Sequence, residues 1–199
     1  MRTGKSLLAG TVVLGALTAC GPLLGVEWPQ PRTAPAVSET AHVSLVWTTD
    51  GSVDPRDSYV EYEATVTLHE PVPGRGVCGT RGADGTGTAR VVVALTNRTD
   101  LSRDDVAAQR RPQHLRADPL NAGGSLRWAG ERWGRDACVD VPDLARVFED
   151  WDEGETRELH GELAGVPLDD PSGHGVELEF VAPDWQLVEG EVATLPVRF

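Results

Sequence analysis

From Val60 to His69 hydrophobic and polar positions alternate without a break. Val60, Tyr62, Ala64, Val66 and Leu68 share one parity, and Glu61, Glu63, Thr65, Thr67 and His69 the other. Successive side chains of a strand point to opposite faces, so this period of two predicts a half-buried antiparallel strand. Val43, Leu45 and Trp47 alternate with Ser44, Val46 and Thr48 in the same sense. Val91-Val92-Val93-Ala94-Leu95 is a continuous apolar run rich in β-branched residues, which suits a central strand. Further strands are expected over residues 125–128, 159–163, 176–182 and 187–199, separated by glycine and proline turns. Strands this frequent indicate an all-β antiparallel β-sandwich.

Two segments depart from the period of two. Ser102 can cap a short helix over residues 104–110, stopped by Pro112. Leu144, Val147, Phe148 and Trp151 stand at i, i+3, i+4 and i+7, one face of a helix over residues 143–151 that Gly154 ends. Both are expected as short connecting helices at the ends of the sandwich. Residues 74–88 are glycine-rich and read as a loop pinned at Cys78.

Ahead of these elements Arg2 and Lys5 form a positive segment, and residues 6–17 carry no charge. Leu17-Thr18-Ala19-Cys20 follows, and then Gly21-Pro22. Basic, apolar and small-residue segments in that order make a secretory signal, too short to span a membrane as a helix. Ordinary cleavage after Ala19 would want a small residue where Leu17 stands. The ending resembles the bacterial lipobox. That resemblance implies removal of residues 1–19, a diacylglyceryl group on the Cys20 thiol, and a chain held by lipid at the extracytoplasmic face of the cell membrane. Two or three acyl chains would anchor it stably, since each buried methylene contributes about 0.8 kcal/mol. Residues 20–40, with Pro22, Pro29, Pro31 and Pro35, read as a tether that reaches roughly 60 Å if fully extended. The competing reading packs part of this segment as an irregular first strand, with Val26 and Trp28 docked. Residues 41–199 are expected to form a single domain.

The chain has 18 Lys+Arg against 31 Asp+Glu, a formal charge of −13. Loss of Arg2 and Lys5 with the signal leaves 16 cations and a charge of −15, and Lys5 is the sole lysine. A charge this negative argues against nucleic acid and anionic headgroups as partners. With Cys20 acylated, Cys78 and Cys138 remain as an even pair, which in an oxidising compartment points to a disulfide. The alternatives are two free thiols or half of a metal site, and neither cysteine has a second ligand two to four residues away.

A second resemblance rests on three stretches. Residues 91–99 look like a strand ending in the turn Asn97-Arg98-Thr99, Gly154-Glu155-Thr156 like a turn opening a strand, and residues 177–183 like a late strand stopped by Pro183. Together they are similar to the immunoglobulin-like (telokin-like) domains of Gram-positive surface lipoproteins. The resemblance implies an immunoglobulin-like fold over residues 41–199 and carries no functional residue with it. True immunoglobulin domains place a core tryptophan early between the paired cysteines, and residues 89–93 contain none.

No local motif of catalysis stands in the sequence, and an envelope enzyme would need a Ser/His/Asp triad assembled from distant residues, which geometry and not sequence defines. His42, His69, His114, His160 and His174 form no His-x-His or His-Glu-x-x-His pair and are expected on solvated strand faces. His160-Gly161-Glu162 lacks the Pro-Cys-x-x-Cys that a zinc deaminase needs. No Gly-x-Ser-x-Gly elbow exists, and Ser172 reads as a turn serine. Asp50, Ser52, Asp54 and Asp57 supply hard oxygens in a turn between strands, as Ca²⁺ prefers, although the same residues also build ordinary hairpin connections. Residues 149–155 form an acidic patch, either a solvated helix end or a docking surface for an arginine-bearing partner with Trp151 as anchor. Trp128 and Trp133 are either an aromatic platform for glycan or peptide, or packing residues. Asn97-Arg98-Thr99 matches a glycosylation acceptor. The expectation is a non-catalytic envelope lipoprotein without a cofactor that binds a protein partner. A small-ligand or Ca²⁺-binding accessory for transport or sensing is the alternative.

Overall fold

The computed structural model describes residues 35–48, 58–74, 78, 83–99, 107–108, 115–121, 124–130, 138–180, 186–190 and 194–199. Cys20, the 50–57 turn and Trp133 lie outside them. The strands are β1 (Pro35–Thr48), β2 (Ser58–His69), β3 (Val72–Pro73), β4 (Thr86–Asn97), β5 (Ala107–Ala108), β6 (Leu115–Leu120), β7 (Ser125–Ala129) and β8 (Cys138–Val139). A helix, α1 (Leu144–Val147), precedes β9 (Thr156–Pro167), β10 (Gly175–Phe180), β11 (Gln186–Gly190) and β12 (Thr194–Arg198). The fold is all-β. One sheet runs β11-β1-β2-β4-β9-β7-β8, with β3 on β4 and β5 on β2, and a second runs β12-β10-β6. Every pairing is antiparallel except the short β2–β5 contact.

Alternation in β2 has the expected consequence. Tyr62, Ala64, Val66 and Leu68 are buried, and Glu61, Glu63, Thr65, Thr67 and His69 are half-buried on the other face. Ala89, Val91, Val93 and Leu95 of β4 are buried beside them, and Leu159 and Leu163 extend the layer on β9. Leu115, Val176, Leu178, Phe180 and Val197 of the second sheet belong to the same hydrophobic cluster. Each such side chain contributes roughly 1.5–3 kcal/mol when fully buried, which makes this shared face the main source of stability. Val92 and Ala94 are only half-buried, so the β-branched run is central within its sheet but covered on one face.

Two glycines permit close packing. Gly165, at φ +84°, takes up the register shift where Gly87 and Thr88 face Val166 and Ala164, the left-handed conformation a bulge needs. A Cβ on Gly175 would collide with the carbonyl oxygen of Val197.

Several elements differ from expectation. The strand expected over residues 187–199 is two strands in different sheets, β11 against β1 and β12 against β10. Ala107 and Ala108, expected inside a helix over 104–110, pair with Ser58 and Tyr59. Among the described residues β2–β4 pairing starts at Tyr62, so the first residues of β2 leave an edge on which a small-residue segment can pair against its helical propensity. The second helix forms but is brief. Asp143 caps it through its carboxylate and Arg146 N–H, and Phe148 and Trp151 continue the buried face beyond its end. β1 opens at Pro35, six residues before the expected domain start, and its residues 35–40 pair with the end of β2.

Tyr62 stacks between Trp151, with ring centroids 5.4 Å apart, and Phe180 at 6.2 Å. Its hydroxyl has no hydrogen-bond partner among the described residues, and burial holds its pKa well above the usual phenol value. An unpartnered buried hydroxyl is a net cost. Tyr62→Phe is therefore expected to unfold at higher denaturant, with a gain of about 1 kcal/mol. Equilibrium urea titration of the two proteins checks this.

Candidate functional site

Polar chemistry concentrates at two places. The first is the end of β4. Asn97 and Thr99 are fully buried. The Asn97 amide donates to the Trp151 carbonyl at 3.2 Å, and its Oδ1 accepts from Thr99 N–H at 3.0 Å. Thr99 Oγ1 accepts from Glu61 N–H at 3.1 Å, Asn97 N–H donates to the Glu155 carbonyl, and the Asn97 carbonyl accepts from Gly154 N–H. The turn after α1 is tied to β4 by the side chain and backbone of Asn97, and through Thr99 to β2. Arg157 closes it from outside, with Nε on Glu155 Oε1 at 2.7 Å and a second nitrogen on the Val147 carbonyl at 3.1 Å. The Arg157 guanidinium, and then the Asp152 N–H, hold the Glu155 carboxyl below its usual range. The apparent glycosylation acceptor is thus an internal brace with no room for a glycan.

The second place is the outer face of the large sheet. Register sets Arg90 of β4 opposite Glu162 of β9, and Glu162 opposite Arg127 of β7. Arg127 Nε reaches Asp140 Oδ1 at 3.2 Å, and His69 shares this face one position beyond the Leu68–Val91 pair. Arg90, Glu162, Arg127 and Asp140 alternate in sign across β4, β9, β7 and the residue after β8, the favourable arrangement for directly opposed positions. Glu162 is only 5% exposed although it faces away from the core, and the Cys78 N–H donates to its Oε2 at 2.9 Å. Beside this row Arg90 donates to His160 Nδ1 at 3.1 Å, and His160 Nε2 stands 3.2 Å from Glu158 Oε2. That geometry selects the tautomer with its proton on Nε2. Desolvation lowers the His160 pKa, opposed by Glu158 and reinforced by the charge on Arg90. His160 is a fixed, half-buried group, not the solvated strand histidine expected.

Cys78 and Cys138 form a disulfide, with Cα atoms 5.3 Å apart and a sequence separation of 60. The loop-entropy term for such a bond is about 4 kcal/mol. Cys138 pairs with Ala129 of β7 while its neighbour Val139 packs against the core. The bond therefore fastens the outer surface of one sheet, whereas the immunoglobulin disulfide joins two sheets through the core.

Two of the three tryptophans expected on a binding surface are buried, and Trp133 lies outside the described residues. Trp128 is buried, its ring edge 3.0 Å from where a Cβ on Gly161 would lie. Trp151 is buried against Phe148, with ring centroids 4.6 Å apart, and its Nε1 donates to the Glu155 carbonyl. Burial explains both corrections, since a ring enclosed by the core presents no face to a partner. Ser172 donates its hydroxyl and its N–H to Asp170 Oδ1, which lowers the Asp170 pKa. The serine is therefore committed to a turn carboxylate and not to His174. Among the described residues no group of three His, Cys, Asp or Glu side chains could hold a metal ion. The Asp50, Ser52, Asp54 and Asp57 oxygens, Trp133 and Cys20 fall outside that set. No family model, curated protein or solved structure matches the chain.

The lowered His160 pKa has a defined sign. As pH falls below about 6.5 the unfolded chain protonates this histidine before the folded one, so stability drops until the folded pKa is reached and then levels. His160→Gln is expected to flatten the loss of melting temperature between about pH 7 and pH 5. Melting curves across that interval check it, and identical slopes for both proteins would count against the assignment.

Proposed function

We propose that this chain is a lipid-anchored lipoprotein of the cell envelope. It displays an immunoglobulin-like β-sandwich outside the cytoplasmic membrane for binding a protein partner. The observation that carries the reading is Leu17-Thr18-Ala19-Cys20 at the end of a basic and then uncharged segment. A cystine in the folded part agrees with an oxidising compartment. Between Cys20 and the start of β1 at Pro35 lie 14 residues, counted from the sequence, rich enough in proline to hold a domain off a surface. The immunoglobulin likeness is meant broadly: two antiparallel sheets about one hydrophobic cluster, with the disulfide displaced to the outside of one sheet.

A non-catalytic role is favoured by how the polar groups are used. Arg90, His160 and Glu158 bond to one another, Ser172 bonds to Asp170, and Asn97 braces a turn. Each of these constellations is engaged within the fold. Binding then falls to a surface that is polar and strongly acidic overall, which suits a basic partner more than an anionic one.

Substitution of the acceptor thiol tests the anchor. In cells fed labelled palmitate, the wild-type chain is expected in the membrane fraction carrying label. Cys20→Ser is expected as unlabelled precursor or released protein. A Cys20→Ser protein that still takes up label and sediments with membranes would refute the anchor.

A further inference from the structure

We propose that the Cys78–Cys138 disulfide is a reducible clip over the charged row of β4, β9 and β7, whose opening uncovers Glu162 while the two-sheet core stays folded. This goes beyond the envelope role and does not rest on the lipid anchor.

Three observations carry it. Both cysteines are half-buried and outside the hydrophobic cluster that joins the sheets. Cys138 lies in a strand of two residues that pairs, among the described residues, with β7 alone, and Cys78 lies in a turn. Val139 beside Cys138 only borders the core as a partly buried residue, so the bond restrains mainly the periphery. Third, Glu162 is 5% exposed on an outward face, with the Cys78 N–H at 2.9 Å from its carboxylate. Moving Cys78 away breaks that charge-assisted bond and returns the Glu162 carboxylate, flanked by Arg90 and Arg127, to water. The persistence of the core follows from its composition, since Tyr62, Leu68, Val91, Leu95, Leu178 and Val197 are buried without help from either cysteine.

The chemistry is thiol–disulfide exchange with a dithiol reductant. One thiolate of the reductant attacks a sulfur of the cystine, the Sγ–Sγ bond breaks, and a mixed disulfide forms. The second thiol of the reductant displaces the remaining cysteine. Two electrons pass to the cystine, each cysteine sulfur takes up a proton, and the reductant leaves as its own disulfide. Partly exposed bonds are the ones such reductants reach.

Hydrogen exchange on the full chain, oxidised and after dithiothreitol, tests the proposal. Amides of β7, β8 and Cys78 should exchange at least tenfold faster once reduced. Those of β2, β4 and β10 should stay within twofold, with one cooperative melting transition retained. The double variant Cys78→Ser, Cys138→Ser should show the reduced pattern with no reductant present. Loss of protection throughout β2 and β4, or a double variant that does not fold, would show that the bond supports the core and overturn the proposal. Unchanged exchange in β8 after complete reduction would overturn it as well.

Discussion

Register between β2, β4 and β9 is the constraint on which the rest of the molecule depends. A slip of one residue would turn Tyr62, Ala64, Val66 and Leu68 out to water and bring Glu61, Glu63, Thr65 and Thr67 into the core. The large side chains among these, at roughly 1.5–3 kcal/mol each, approach the whole net stability of an ordinary domain, about 5–15 kcal/mol, so a slipped pairing is not competitive. With register set, everything else acquires an address. Asn97 arrives opposite Tyr62, where it can meet the turn after α1, and Arg90 arrives opposite Glu162.

The two polar groupings answer the cost of desolvation in different ways. At the end of β4 the buried amide of Asn97 is matched to backbone groups on both sides, so no charge enters the interior. On the outer face charges are retained but placed in alternation, and Glu162, the buried carboxylate among the described residues, receives a backbone N–H. Burying an ionised group is tolerable only when it is paired and hydrogen-bonded, and Glu162 meets that condition through Cys78 and its cross-strand neighbours. The disulfide therefore does more than shorten the unfolded chain, because it holds the donor that Glu162 requires.

Elements with a strong period were legible in the sequence. β2, the β-branched stretch of β4, and the buried face formed by Leu144, Val147, Phe148 and Trp151 follow from spacing alone. Ala107–Ala108 was not legible, since two alanines carry no pattern and the open edge of β2 decides their state. Asn97-Arg98-Thr99 could be read as a strand-ending turn, but its burial depends on a helix end about 50 residues later that no local signal names. For Trp128 and Trp151 composition allowed surface or core, and the inward parity of β7 and the face beyond α1 decided for the core. The row from His69 to Asp140 was invisible because its members come from separate strands. Only knowledge of which strands pair makes them neighbours.

β1 is unusual in having unequal support along its length. Over residues 45–47 it is flanked by both β2 and β11, whereas over 35–44 it pairs, among the described residues, with β2 alone. Any pull transmitted through the chain ahead of Pro35 meets the weakly flanked part first. Mechanical load would then peel the strand from its leading end, draw Val37 and then Val43 from the core, and meet its strongest resistance at Leu45.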